Sequence, residues 1–320
     1  AINFKNRIAV FIYISICAIF WSMTMRTAEL NPDFTYYTTM MTQENVLVSV
    51  LSNFYEPVLY SYHWLIFSAI GNIYFSWVIG DLILLFIFYK AIAKLHNSLN
   101  IVDNNFYSMR FYPAIFLILL SSWPFFIGFN LTYRQFAASI IFLYAFSSFK
   151  TNKLQGLIFF TFTVLTHNAF AVLLPLFLFF SGNKYLRFIS YLGSMIIPFA
   201  LVTVSEFTEY PYVGAVLAAL YPLSILVISL FVLILVNGKN IKISSELTLV
   251  FLYLPYLSLI SWIFLQNGQA ERIGVLCMSI LLPILIVWVI GFVRNKYSAL
   301  LVILLMSTLP IFGFYQSMLV

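Results

Sequence analysis

Apolar runs, many of them about 20 residues long, recur along most of this chain, with the basic residues mostly in short groups between them. A bilayer core of about 30 Å is crossed by about 20 helical residues at 1.5 Å rise. Inside hydrocarbon every backbone N–H and C=O must find its partner within the segment, so such runs fold as helices. Composition agrees: 8% of the residues are charged, against about 25% in a soluble domain. The expected class is therefore all-α, a polytopic integral membrane protein. The net charge of +6 is no nucleic-acid signal, because the basic residues lie in short groups between apolar runs. Cys17 and Cys277 both fall inside apolar runs, which implies neither a disulfide nor a metal site. Lys5 and Arg7 precede the run Ile8–Met23 as in a secretory signal, but no small-residue cleavage site follows, so that run is expected to stay as a first span.

Expected spans are Ile8–Thr24, Ile73–Ala93, Phe111–Phe129, Arg134–Phe149, Leu154–Leu165, Asn168–Phe180, Leu186–Val204, Gly214–Val236, Leu247–Leu265, Ile273–Phe292 and Ala299–Ser317. That is about eleven crossings. Leu154–Leu165 and Asn168–Phe180 are short, which suits a broken pair turning at His167. The piece Val58–Ile70, opened by Pro57, is too short to cross and is expected to be re-entrant or interfacial. The whole, residues 1–320, is expected to form a single membrane-embedded domain with an outer loop over 25–57.

The charge bias sets the orientation. With the N-terminus inside and Val58–Ile70 not crossing, all but Arg26, Arg134 and Arg272 of the 16 Lys and Arg residues lie on the cytoplasmic side. A rival topology, with the N-terminus outside and Val58–Ile70 crossing, leaves one basic residue fewer inside. The outer loop carries Glu29, Asp33, Glu44 and Glu56 against Arg26, which favours the first arrangement.

Against that background a few polar residues stand out. Arg134, with Gln135 beside it, and Arg272 each precede or open a helix running inward from the outer surface. Helix N-termini favour anions, and guanidinium grips phosphate with two parallel hydrogen bonds, so the pair suits a phosphate or pyrophosphate clamp. Lipid snorkelling by Arg134 and pairing of Arg272 with Glu271 are the plainer readings. His167 and Asn168 sit at the expected break, where they either serve a site or satisfy backbone groups. Glu56 rides ahead of Pro57, as a site carboxylate or as a simple cap. Asp81 lies within a span, where an acid is costly to keep, and also reads as a bond to a neighbouring helix. His63 either lines a cavity or packs in the core. No glycine-rich phosphate loop, no H-E-x-x-H and no G-x-S-x-G is present, so a nucleotide-driven pump, a zinc site and a serine nucleophile all lack their sequence signals.

These residues together carry a resemblance. Asp33 with Tyr36 and Tyr37 in an early outer loop, Tyr55-Glu56-Pro57 before a membrane helix, Arg134-Gln135 and Ala138 opening another, then His167 and Arg272, resemble the Wzy/EpsG-type polysaccharide polymerases. In that family a Ser often follows the histidine by two, where this chain has Ala169. The resemblance implies a GT-C-like membrane glycosyltransferase in the bacterial inner membrane, multi-pass, with its site facing the periplasm or cell exterior. Donor and acceptor would be glycans linked to undecaprenyl pyrophosphate, with no cofactor and no metal. Arg134 and Arg272 would neutralise the leaving pyrophosphate, and Glu56 or His167 would act as general base. Asp33, Tyr36, Tyr37, Gln135 and Asn168 would bind substrate. A chain-length regulator and a flippase are the partners implied, and nucleic acid is not. An O-antigen ligase of the same general fold, or a lipid-linked oligosaccharide transporter, is the alternative.

Overall fold

Every regular element that the computed structural model describes is a helix. It describes residues 4–25, 32–42, 57–98, 115–120, 122–130, 132–149, 151–180, 183–205, 244–265 and 267–292, with a few helical positions between 220 and 230. The expected spans Gly214–Val236, for the most part, and Ala299–Ser317 lie outside the described residues. Two compact units emerge. One gathers Ala1–Lys94, Tyr112–Leu120 and Phe125–Ala171, the other Leu95–Phe111, Ser121–Pro124 and Val172–Val320.

The first unit begins with α1 (Phe4–Met25) and α2 (Pro32–Thr42), followed by α3 (Pro57–Ile70) and α4 (Ile73–Ser98). Helix α3 has 14 residues, about 21 Å of rise, which falls short of a bilayer core. Pro57 is its first residue, where the missing N–H costs nothing. It ends at Gly71, whose φ of 71° is left-handed backbone that favours glycine. Asn72 then caps α4 by accepting from Phe75 N at 3.1 Å.

Within the expected outer loop over 25–57, residues 32–42 form α2, opened by Pro32. One expectation needs correction here. The run Phe111–Phe129 is not one helix: residues 115–120 are helical, Ser122 is a bend, and α5 starts at Trp123. Pro124 explains the interruption, because it has no N–H to give and its ring collides with the carbonyl four residues back.

Helices α6 (Tyr133–Phe149) and α7 (Lys153–Thr166) form a tight hairpin. Asn152 reverses the chain and caps α7, accepting from Gln155 N at 3.0 Å. The two helices close up on Gly156. A Cβ there would come within 2.6 Å of Phe149 Cα, so only glycine allows this approach. At the same end a polar knot ties in α4: Lys94 Nζ donates to Tyr144 Oη at 3.1 Å and Ser148 Oγ at 3.0 Å, and Gln155 Nε2 donates to Tyr144 Oη at 3.2 Å.

In the second unit, α8 (Leu174–Phe180), α9 (Lys184–Ser205), α10 (Ser245–Phe264) and α11 (Asn267–Phe292) pack in sequence. Tyr253 Oη donates to the carbonyl of Val172, and Ser190 Oγ to that of Pro175 at 2.6 Å. Pro198, Pro255 and Pro283 lie inside α9, α10 and α11. Each removes one backbone bond, which membrane helices tolerate when neighbours re-satisfy the freed carbonyl.

Three described helical stretches are long and apolar enough to cross a bilayer: Lys184–Val202, Ser245–Phe264 and Gln269–Val289. The last is 94% buried in the protein, the first only 17%. Helix α9 thus turns Tyr185, Phe188, Ile189, Leu192, Met195, Ile196 and Phe199 outward, and α7 does the same with Leu154, Leu157, Ile158, Phe162 and Leu165. Contiguous apolar surface of this kind is unusual on a water-soluble monomer and ordinary against lipid. The protein is a membrane protein, helical in every regular element among the described residues.

Gly156→Ala should push α6 and α7 apart and destabilise the protein by roughly 1–3 kcal/mol, the usual range for overpacking. Thermal unfolding in detergent would measure it, and an unchanged midpoint would mean the hairpin is looser than described.

Candidate functional site

The hairpin decides which polar residues share one end of the first unit. The carbonyl of Thr132 accepts from Phe136 N at 3.1 Å, so α6 opens at Tyr133 and Arg134 is its second residue. Its first-turn N–H groups point away from the hairpin turn, toward the end where an anion is favoured. Helix α7 runs back and stops at Thr166. His167 is extended (φ −154°, ψ 109°), its N–H still bonded to Thr163 O at 2.9 Å. The chain restarts as a 3₁₀ helix over Asn168–Leu173. The break expected at His167 is therefore present. It stands level with the first turn of α6, because α7, at 14 residues, retraces most of the 17 in α6. His167 is half-buried and Asn168 exposed.

A cage of aromatic rings holds the same end together. His63, on α3, is only 1% exposed. Its ring lies 4.4 Å from Trp77, 5.4 Å from Tyr133, 5.2 Å from Tyr62 and 5.7 Å from Tyr37, centre to centre. His63 is thus a packing residue, one of the two readings open from sequence. Trp77, fully buried, also meets Phe34 and Tyr133 at 5.1 and 5.0 Å. Its indole N–H donates to Thr38 Oγ1 at 3.3 Å. Such rings contribute burial plus a specific edge-to-face preference. The cage locks α2 onto α3 and α4, and through Tyr133 onto the start of α6. The residue that anchors this corner is the one immediately before Arg134.

Helix α2 brings its own polar surface. Tyr37 is buried in the cage, whereas Tyr36 is 43% exposed and accepts from Tyr60 Oη at 3.1 Å. A half-exposed tyrosine held by a second hydroxyl offers a flat apolar face and a polar edge. Helix α3 also packs against α7, which sets the helix that Pro57 opens beside the one that ends at His167. The first unit thus gathers Tyr36, Tyr37, Arg134, Gln135, His167 and the start of α3. Asp33 is the second residue of α2, and Glu56 lies outside the described residues.

Three placements sharpen the sequence reading. Arg272 belongs to the second unit. It is half-exposed but is the sixth residue of α11, which begins at Asn267. The expected helix start at Ile273 is therefore corrected, and the N–H groups of α11's first turn precede Arg272. Gln135 is buried, 5% exposed, in the first turn of α6. Asp81 is fully buried within α4, next to Gly80, whose carbonyl accepts from Tyr62 Oη at 2.5 Å.

Sequence reasoning missed Thr132. Its hydroxyl is buried beside Arg134 and has no hydrogen-bond partner among the described residues. A threonine just ahead of a helix is so common as a cap that nothing in the sequence singled it out. Among the described residues no group of three or more His, Cys, Asp or Glu side chains converges to hold a metal ion.

Comparison with family models, with curated proteins and with solved structures finds no match to this chain.

Trp77→Ala should cost about 3–5 kcal/mol, as for a large aromatic removed from a packed core. Because the cage holds α2, limited proteolysis should then cut within residues 32–42 of the solubilised protein, where the unaltered protein resists. Equal resistance in both would show that α2 is held by something else.

Proposed function

We propose that this protein is a polysaccharide polymerase, a GT-C-like glycosyltransferase with about eleven crossings. It joins oligosaccharide units carried on undecaprenyl pyrophosphate, at the outer face of the bacterial inner membrane. One observation carries the reading: a single end of the first unit gathers Tyr36, Tyr37, Arg134, Gln135 and His167. That set combines a ring-stacking surface, an anion-binding helix start and a group able to move a proton.

The chemistry follows from those types. The bond between the donor's anomeric carbon and the pyrophosphate oxygen breaks. An acceptor hydroxyl takes its place on that carbon, and its proton passes to a general base, for which His167 and Glu56 are the candidates. Negative charge builds on the departing lipid pyrophosphate, where Arg134 at a helix start stabilises it, joined by Arg272. Guanidinium suits a bridging pyrophosphate better than ammonium because its two N–H groups match two oxygens at once. Asn168 and Asp33 are the further sugar contacts, with Tyr36 stacking; Tyr37, expected from sequence to stack as well, is 1% exposed and supports the cage instead. Two cations in place of a metal make the reaction metal-independent.

The test is polymerisation by the purified protein supplied with lipid-linked repeat units. Arg134→Ala and Arg272→Ala should each lower turnover on the order of 10²–10³, as for loss of one preorganised donor. Lysine at either position should restore little. The double variant should fall short of the product of the two losses, because both groups serve one charge. Ladders should persist in excess chelator. Near-normal ladders from either alanine variant would contradict the clamp, and a single transfer without ladders would point to a ligase.

A further inference from the structure

Within the second unit, α9 and α10 part to leave a cavity of about 580 Å³. From α9 it is lined by Tyr191, Ser194 and Met195, and from α10 by Ser245, Thr248, Leu249, Leu252, Tyr253 and Tyr256. The spacing on each helix is three and four, so one face of each contributes. The middle of α9 and the first half of α10 contribute, and Phe199 meets Phe264 at 6.0 Å further along both helices, so the two run in the same direction. From Ser245 to Tyr256 the helix rises about 16 Å, close to half of a hydrocarbon core of about 30 Å. The cavity is one leaflet deep.

Its chemistry is graded along that depth. The α10 side starts with two hydroxyls, Ser245 and Thr248, and continues with Leu249 and Leu252. Among the described residues no charged side chain lines it. Ahead of Tyr191 on α9, four and seven positions back and on the same face, stand Arg187 and Lys184, both exposed. Arg187 lies over the ring of Phe179 at 5.4 Å, and Tyr191 packs on the same ring at 5.3 Å. Arg187 and Lys184 thus stand one and two turns ahead of Tyr191, a lining residue, and Arg187 shares the Phe179 ring with it. Glu246, in the first turn of α10, is not among the lining residues.

We propose that this cavity is a binding site for an anionic phospholipid. The headgroup phosphate sits at Lys184 and Arg187 with Ser245 as a hydroxyl donor, and one acyl chain runs down past Leu249, Met195 and Leu252. The fit is to a lipid of the bilayer itself, because both walls are helices long and apolar enough to cross a membrane and the lining on α10 extends over about one leaflet. The site lies within the second unit alone and does not depend on the polymerase reading.

Native mass spectrometry of the full chain in neutral detergent tests this directly, with dioleoyl phosphatidylglycerol or dioleoyl phosphatidylcholine added in equal amounts. One phosphatidylglycerol should stay bound with roughly thirtyfold preference, the effect expected of two cations near a lipid surface. Arg187→Gln, which leaves the cavity intact, should reduce that preference about fivefold. Leu252→Trp, which fills the cavity from an exposed position, should abolish the retained lipid. Arg187→Gln reports independently if the tryptophan variant does not fold. Equal retention of both lipids, or a headgroup preference left unchanged by Arg187→Gln, would overturn the proposal. Displacement of phosphatidylglycerol by an equal amount of a polyprenyl phosphate would overturn it too, by assigning the site to an isoprenoid lipid.

Discussion

The approach of Gly156 to Phe149 is the contact on which the placement of the polar residues depends. Two helices of 17 and 14 residues closed this tightly behave as one rigid body. Whatever begins the first helix and whatever ends the second must then share an end. The beginning is Tyr133-Arg134-Gln135 and the ending is Thr166-His167-Asn168. Asn152 as cap and the Lys94, Tyr144, Ser148 and Gln155 bonds secure the opposite end. That knot gathers polar groups where one lysine and two hydroxyls satisfy each other, so it fits a structural role.

The end carrying Arg134 is built differently. Its stability comes from rings, with His63 and Trp77 at the centre and Tyr37 and Tyr133 around them. Such a cage draws α2 from a sequence-distant loop and fixes its register against α4 through Trp77 and Thr38. Arg134 and His167 are then half-buried beside the cage, and Gln135 is buried within the first turn of α6.

Much of this was legible in the sequence, and for local reasons. Pro57 marked the start of a short helix, and His167-Asn168 interrupted an apolar run too short to cross twice. Arg134 followed a break and led an apolar stretch. Each signal was carried by a residue whose backbone or solvation preference is strong. The misses have physical causes as well. Residues 32–42 are rich in Thr and Tyr, poor helix formers, and fold against the cage by tertiary contact rather than by propensity. Hydropathy averaged over a window hid the interruption at Pro124. The start of α11 at Asn267 was hidden because Asn267, Gly268 and Gln269 lower the apolar signal ahead of Arg272. The cavity between α9 and α10 depends on which faces meet, and no local pattern encodes that.

The central claim is that α2 and the two ends of the hairpin around Arg134 and His167 belong to one side of the membrane, the outer one. Single cysteines at Thr39, Asn168 and Asn152, with Cys17 and Cys277 replaced by alanine, measure this by labelling with a membrane-impermeant thiol reagent. Cysteines at Thr39 and Asn168 should react in intact spheroplasts, and the one at Asn152 only after permeabilisation. Thr39 and Asn168 reacting from opposite sides would contradict the account, since Tyr36, Arg134 and His167 could not then serve one site.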